Sequence, residues 1–187
     1  MPRFYNDKAT VKPEKAARFT EAMAAAGIDK QHCIVHAAYV LNTASPEPEK
    51  YERARLGLAK ELERTTALGV LGFCFHPGSA GSSDPVGAAE RVGDAMAFAL
   101  DRVPESARIF IENTAGAGRT MGRTPEEIAA MLARIPAGAD LIENAVSQAP
   151  GFTLGNVHVM AGVPSIMQAM LDTLGQRNRT GRGRCLV

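Results

Sequence analysis

The sequence predicts an α/β fold made of repeated βα units with parallel strands. Three observations carry this reading. Short apolar, partly β-branched runs recur at Cys33-Ile34-Val35, Val70 to Phe75 and Ile109-Phe110-Ile111, each followed by a polar or Gly-rich turn. Stretches with helical periodicity separate them, and strands that return in parallel require such a crossover. The period from strand to strand is roughly 36 to 40 residues, which holds one strand and one long helix. A barrel segment and an open doubly wound sheet both satisfy this pattern. A closed eight-unit barrel takes about 250 residues, so the 187 residues here accommodate only part of one.

The elements follow in order. Pro13 to Ala26 reads as a helix closed by Gly27. After the first strand, three helices open in one style, a capping residue followed by proline: Ser45-Pro46, Asp84-Pro85 and Thr124-Pro125. Proline at the first helical position loses nothing, because its missing N–H has no helical partner there. Thr124 with Glu127 adds a capping box. The first of these helices spaces Tyr51, Ala54, Leu58, Leu62 and Thr65 at steps of three and four and stops at Gly69. The second places Val86, Ala89, Val92, Met96 and Leu100 on one face, and the third uses Ile128, Met131, Leu132 and Ile135. Beyond Pro136 the texture changes. Ala137-Gly138-Ala139-Asp140 reads as a joint, so residues 1–136 form the main domain and 137–187 a short α/β extension. The extension carries strands at Asp140-Leu141-Ile142 and Val157 to Met160, a helix from Pro164 to Leu174, and a basic tail read as a solvated terminus.

Composition excludes several classes. Apolar residues make up 45% and charged residues 22%, the balance of an ordinary globular protein. With 21 basic and 20 acidic residues, no global field draws in nucleic acid or an anionic membrane. Cys33, Cys74 and Cys185 form no CxxC pair, and the first two sit in apolar runs, where a thiol behaves as a small hydrophobe. The start has no apolar core of a signal peptide, and no stretch approaches the roughly 20 apolar residues of a membrane helix. A soluble protein of the reducing cytoplasm is the expectation.

His36, His76 and Glu112 each stand at the carboxyl end of a predicted strand. Parallel strands bring those ends to one face. Two imidazoles and a carboxylate suit zinc and leave room for water or substrate. One histidine at a strand end is more often a hydrogen-bonded structural residue; three metal-capable residues at equivalent points of successive units point to a site. The turns His76 to Ser83 and Glu112 to Gly118 are rich in Gly and hydroxyls, a composition that lets backbone N–H groups approach phosphate. Tyr39 falls in the same mouth, either packed or available to stack on a base.

Read as words, these segments resemble endonuclease IV, the zinc-dependent apurinic/apyrimidinic endonuclease family. His36-Ala37-Ala38-Tyr39-Val40-Leu41-Asn42 is similar to its first metal motif, Phe75-His76-Pro77-Gly78-Ser79 to the second, and Ile111-Glu112-Asn113-Thr114-Ala115-Gly116 to the third. The similarity covers about residues 10 to 135. It implies a partial TIM (β/α) barrel and an enzyme that uses clustered zinc to hydrolyse the phosphodiester on the 5′ side of an abasic site in double-stranded DNA. It implies that His36 and His76 are ligands of one zinc, that Glu112 is the metal-bridging catalytic carboxylate, and that Tyr39 tips a DNA-contacting loop. Clustered zinc activates water and stabilises the leaving oxygen, and an abasic nucleotide has little stacking to lose when flipped.

The departures matter equally. The family's first strand would precede residue 1, and its later Asp and His motifs do not follow Pro136; the surroundings of His158 match none of them. The extension instead resembles the closing part of a molybdopterin-binding domain of the competence/damage-inducible type, through Ala139 to Asn144, Ala149 to Phe152, Gly155-Asn156-Val157 and Ala161 to Ser165. The chain thus reads as two joined fragments, the second supplying strands to the open edge of the first. With one His-His-Glu site and no partners for a cluster, activity is expected to be weak or absent. Two rival readings stand beside this one: a sugar isomerase or epimerase of the xylose-isomerase-like barrels, and a non-catalytic fragment that binds metal or DNA.

Overall fold

The computed structural model describes residues 11–114, 117–134, 139–142, 151–154 and 157–160, together with positions 165, 168, 169, 171 and 172. Helix α1 spans Pro13–Ala25 and buries none of its residues. Lys30, in a short 3-10 turn, ties it down by donating from Nζ to Thr20 Oγ1 and to the Leu68 carbonyl. Strand β1 follows at Ile34–His36, then helix α2 at Pro48–Leu68, strand β2 at Gly72–Phe75 and helix α3 at Pro85–Arg102. Strand β3, Arg108–Glu112, and helix α4, Pro125–Leu132, complete the repeated units.

The helix punctuation holds in two places and shifts in one. Asp84 accepts from the Gly87 amide at 2.8 Å, and Thr124 from the Glu127 amide at 3.3 Å, so both cap as their sequence signals require. The Glu127 carboxylate closes the α4 turn by accepting from the Gly122 and Arg123 amides. Helix α2, by contrast, starts at Pro48 and not at Pro46. Proline disfavours helical backbone in the residue before it, and Glu47 accordingly stays extended at φ −82°, ψ 116°. Ser45 Oγ accepts from the Glu47 amide, an isolated turn in place of a helix cap. Val86 also departs from its predicted buried face; in the first turn of α3 it is 66% exposed.

The sheet has the order β1-β2-β3-β6-β5-β4, where β4 is Ala139–Ile142, β5 Gly151–Leu154 and β6 Val157–Met160. β1, β2, β3 and β6 run parallel; β5 is antiparallel to both β6 and β4. The extension therefore continues the sheet from the edge of β3. Strand β5 has no counterpart in the sequence reading, where Gly151-Phe152 counts only as part of a motif. The described positions of the predicted helix 164–174 are helical, while Ile135 and the basic tail lie outside the described residues.

One face of the sheet packs on the helices. Phe73, Phe75, Ile109 and Ile111 point into a core completed by Leu58 and Leu62 of α2, Val92 and Met96 of α3, and Met131 of α4. The Phe73 and Phe75 rings stack in parallel with centroids 6.1 Å apart. Strand alternation sends Cys74 and Phe110 to the opposite face. Among the described residues no helix is long and apolar enough to cross a membrane.

Gly93 shows how tightly α3 and α4 meet. A Cβ there would lie 2.3 Å from the Met131 carbonyl oxygen and 2.7 Å from Arg134 Cγ. Helix propensity favours alanine over glycine by about 1 kcal/mol, but overpacking against backbone costs roughly 1–3 kcal/mol. Gly93→Ala is therefore expected to lower the urea midpoint. A raised midpoint would show that α4 is not seated on α3 as described.

Candidate metal centre

His36 ends β1 and Glu112 ends β3, with β2 between them. The parallel register pairs His36 with Cys74 and Cys74 with Phe110, so β1 ends two residues short of the level at which Glu112 closes β3. His76 follows the last residue of β2. The three residues singled out from sequence meet: Glu112 Oε2 lies 2.8 Å from His36 Nε2 and 3.6 Å from His76 Nε2. The two imidazole rings sit edge to face with centroids 5.2 Å apart.

The hydrogen bonds of His36 restrict what occupies the space between these groups. Its Nδ1 lies 2.9 Å from the Ala37 carbonyl oxygen, which only accepts, so Nδ1 carries a hydrogen and points the other nitrogen at Glu112. An ionised carboxylate also only accepts. Nε2 facing it at 2.8 Å therefore needs a proton or a cation between the two. The same Nδ1–H to carbonyl bond is the outer contact that orients a metal-binding histidine. His76 turns its Nε2 toward the same carboxylate oxygen, while its Nδ1 is buried with no hydrogen-bond partner. The donor set fits a cation.

Cys74 joins the group. Its Sγ lies 4.0 Å from Glu112 Oε2, and the donor atoms of His36, Cys74 and Glu112 all fall within 4.8 Å of one another. Burial, and then the Glu112 charge, push the free thiol up to about 12. The sequence reading misses this residue because it weighs the apolar run as a whole. The signal is alternation: Cys74 stands two residues before His76, hence on the same face.

Tyr39 does lie in the mouth. Its ring centroid is 5.1 Å from that of His76, with the ring planes tilted by 39°, yet the residue is 87% exposed, so it leans on the site without being packed away. In the His76 to Ser83 loop, where the sequence suggests a phosphate cradle, four amides are engaged within the protein. Ser79 N donates to Asn42 Oδ1, Ala80 N to the Arg119 carbonyl, Gly81 N to Ser79 Oγ and Ser83 N to the Ala80 carbonyl. Gly78, at φ +97°, lets the turn pass within 2.2 Å of Asn42 Oδ1 at the place a Cβ would occupy. In the second loop, Ala115 and Gly116 lie outside the described residues.

The profile of the xylose isomerase-like TIM barrel family matches residues 1–140. The chain belongs to this family. Its parallel sheet with alternating helices is part of the TIM barrel. Curated relatives named probable endonuclease 4 include one from Chlorobium limicola, 31% identical over 137 residues, which are 73% of this chain and 44% of the relative. Another, from Chlorobium phaeovibrioides, is 35% identical over 114 residues, 59% of this chain and 40% of the relative. The chain thus spans less than half the length of these relatives. The crystal structure of endonuclease IV from Thermus thermophilus superposes with a TM-score of 0.54 at 31% identity, covering 67% of this chain and 44% of that one. A D-tagatose 3-epimerase-like protein gives a TM-score of 0.56 at 17% identity over 68% of this chain and 48% of that one, a likeness of fold alone.

His158 stands apart from the donor group. On β6 it pairs laterally with Phe110, its ring centroid 5.0 Å from the phenyl ring, and it is 3% exposed. Burial, with the Arg108 guanidinium adding to it, holds the imidazole down to about 3. A histidine buried neutral contributes stability above its unfolded value of about 6.5, and loses it as pH falls and the unfolded chain binds the proton. Between pH 7 and pH 5 this amounts to about 2 kcal/mol. His158→Gln is expected to remove most of that part of the acid sensitivity in urea titrations at the two pH values. An unchanged pH dependence would contradict the neutral, buried imidazole.

Proposed function

We propose that this protein binds zinc through His36, His76 and Glu112 and acts as an endonuclease IV-type DNA-repair protein on double-stranded DNA with abasic sites. The observation that carries the reading is the convergence of two imidazole nitrogens on Glu112 Oε2, at 2.8 and 3.6 Å. The similarity to proteins named endonuclease 4 supplies the substrate class, and a nitrogen-rich donor set favours zinc over magnesium.

In this reading each residue has a task. His36, oriented by its bond to the Ala37 carbonyl, and His76 hold the ion. Glu112 neutralises part of its charge and fixes its position between the strands. Zinc bound there supplies Lewis acidity to a phosphodiester. Tyr39, exposed beside His76, meets the DNA where the lesion leaves a gap in the stack. With the Ser79, Ala80, Gly81 and Ser83 amides engaged within the protein, much of the phosphate contact falls to side chains. Hydrolysis by this chain is accordingly expected to be slow. The reading keeps the boundary near residue 136, with 137–187 lending strands to the sheet, and a reducing cytoplasmic setting.

Elemental analysis of the purified chain is expected to find bound zinc, and His76→Ala to weaken zinc binding by at least about 10–100-fold, the cost of losing even an outer partner. Duplex carrying one abasic site should bind more tightly than intact duplex, and Tyr39→Ala should narrow that difference. Equal, negligible zinc in wild type and variant would end the metal reading. Zinc with no preference for the lesion would end the DNA reading.

A further inference from the structure

We infer that the Cys74 thiolate is a fourth protein donor to the ion held by His36, His76 and Glu112. This rests on the zinc reading and goes beyond it, because a sulfur ligand changes what the ion does.

Backbone geometry brings the thiol to the site. Cys74 is the lateral register partner of His36 across β1 and β2, so the two side chains leave the sheet on the same side. His76 follows two residues later on that side. Three donors surround one carboxylate oxygen: His36 Nε2 at 2.8 Å, His76 Nε2 at 3.6 Å and Cys74 Sγ at 4.0 Å from Glu112 Oε2. A tetrahedral zinc with ordinary bond lengths sets its donors about 3.4–3.6 Å apart. The donor atoms of His36, Cys74 and Glu112, all within 4.8 Å of one another, need only side-chain adjustments to reach that spacing. As the sulfur–metal bond forms, the thiol proton leaves to solvent and the electron pair stays on sulfur.

The consequence is chemical. Hydrolytic zinc sites keep three protein ligands and one open position, whereas four protein ligands close the shell. Two imidazoles, a carboxylate and a thiolate fill it, which holds the metal firmly and slows hydrolysis. Sulfur also shifts the preference further toward zinc and away from magnesium, calcium or manganese.

Cobalt(II) absorption tests this without relying on activity. The full chain carrying Cys33→Ser and Cys185→Ser keeps Cys74 as its one thiol. Titrated with cobalt(II), it is expected to show tetrahedral d–d bands together with a near-ultraviolet sulfur-to-cobalt charge-transfer band. Adding Cys74→Ala should abolish that band and weaken cobalt binding at least about tenfold. The single-thiol protein is decisive even if the Cys74 variant fails to fold, since no other sulfur ligand of that kind remains. Cobalt d–d bands without the charge-transfer band overturn the thiolate and leave the His-His-Glu site standing. No cobalt spectrum at all overturns both.

Discussion

The site depends on the parallel register of β1, β2 and β3. Val35 pairs with Phe73 and Phe73 with Ile109, which sets Cys74 beside His36 and carries Glu112 two residues further along β3. A slip of β2 by one residue would exchange its faces. Phe73 and Phe75 would then move into the mouth, and Cys74 and His76 among the helices. Both phenylalanines are fully buried, and each contributes about 1.5–3 kcal/mol through that burial. The apolar core under the sheet therefore fixes the register, and the register places the donors. A metal ion entering the proposed site would meet an arrangement already set by packing, with side-chain rotations left to optimise.

How far this was legible follows from where the information lies. Short apolar, partly β-branched runs and helices with caps, prolines and terminal glycines announce themselves locally, which is why β1, β2, β3, the extent of α3 and the start of α4 could be read closely. Placing His36, His76 and Glu112 together required only that the strands be parallel and that function gather at their carboxyl ends. What escaped depended on competition between neighbours. The start of α2 turned on Pro48 overriding a good cap at Ser45. The fate of the His76 to Ser83 amides turned on Asn42 and Arg119, distant in sequence, reaching them first. Cys74 escaped because an apolar run conceals which of its members faces the core and which faces the site.

The residues after Pro136 illustrate a second kind of illegibility. Short strands were expected there, but not their order or direction. Hydrogen-bonding groups along the edge of β3 can be satisfied by any strand of suitable length, and β6 takes that place in parallel while β5 and β4 fold back antiparallel. The result is a mixed sheet whose first half follows the barrel pattern and whose second half does not. His158 shows the cost of this junction: joining β6 to β3 puts an imidazole beside Phe110, where its charged form is strongly disfavoured.

The loops around the proposed metal centre also limit how such a chain meets a polyanion. Arg91 donates to the Ala44 carbonyl and to Ser83 Oγ, and Arg119 to the Gly81 and Ser83 carbonyls. These guanidinium groups staple the mouth together, and the donors engaged in that task are not available to phosphate. With a formal net charge of +1, the whole chain adds little attraction of its own. Affinity for duplex DNA grows with the number of phosphates neutralised, so binding built on few such contacts is weak and only shallowly dependent on salt. Under the proposed function, discrimination falls to the exposed ring of Tyr39 beside His76 and to a cation held by the donor group. In that reading such contacts would reward an opened helix far more than an intact one, so the feature that lowers overall affinity would make the lesion the favoured target.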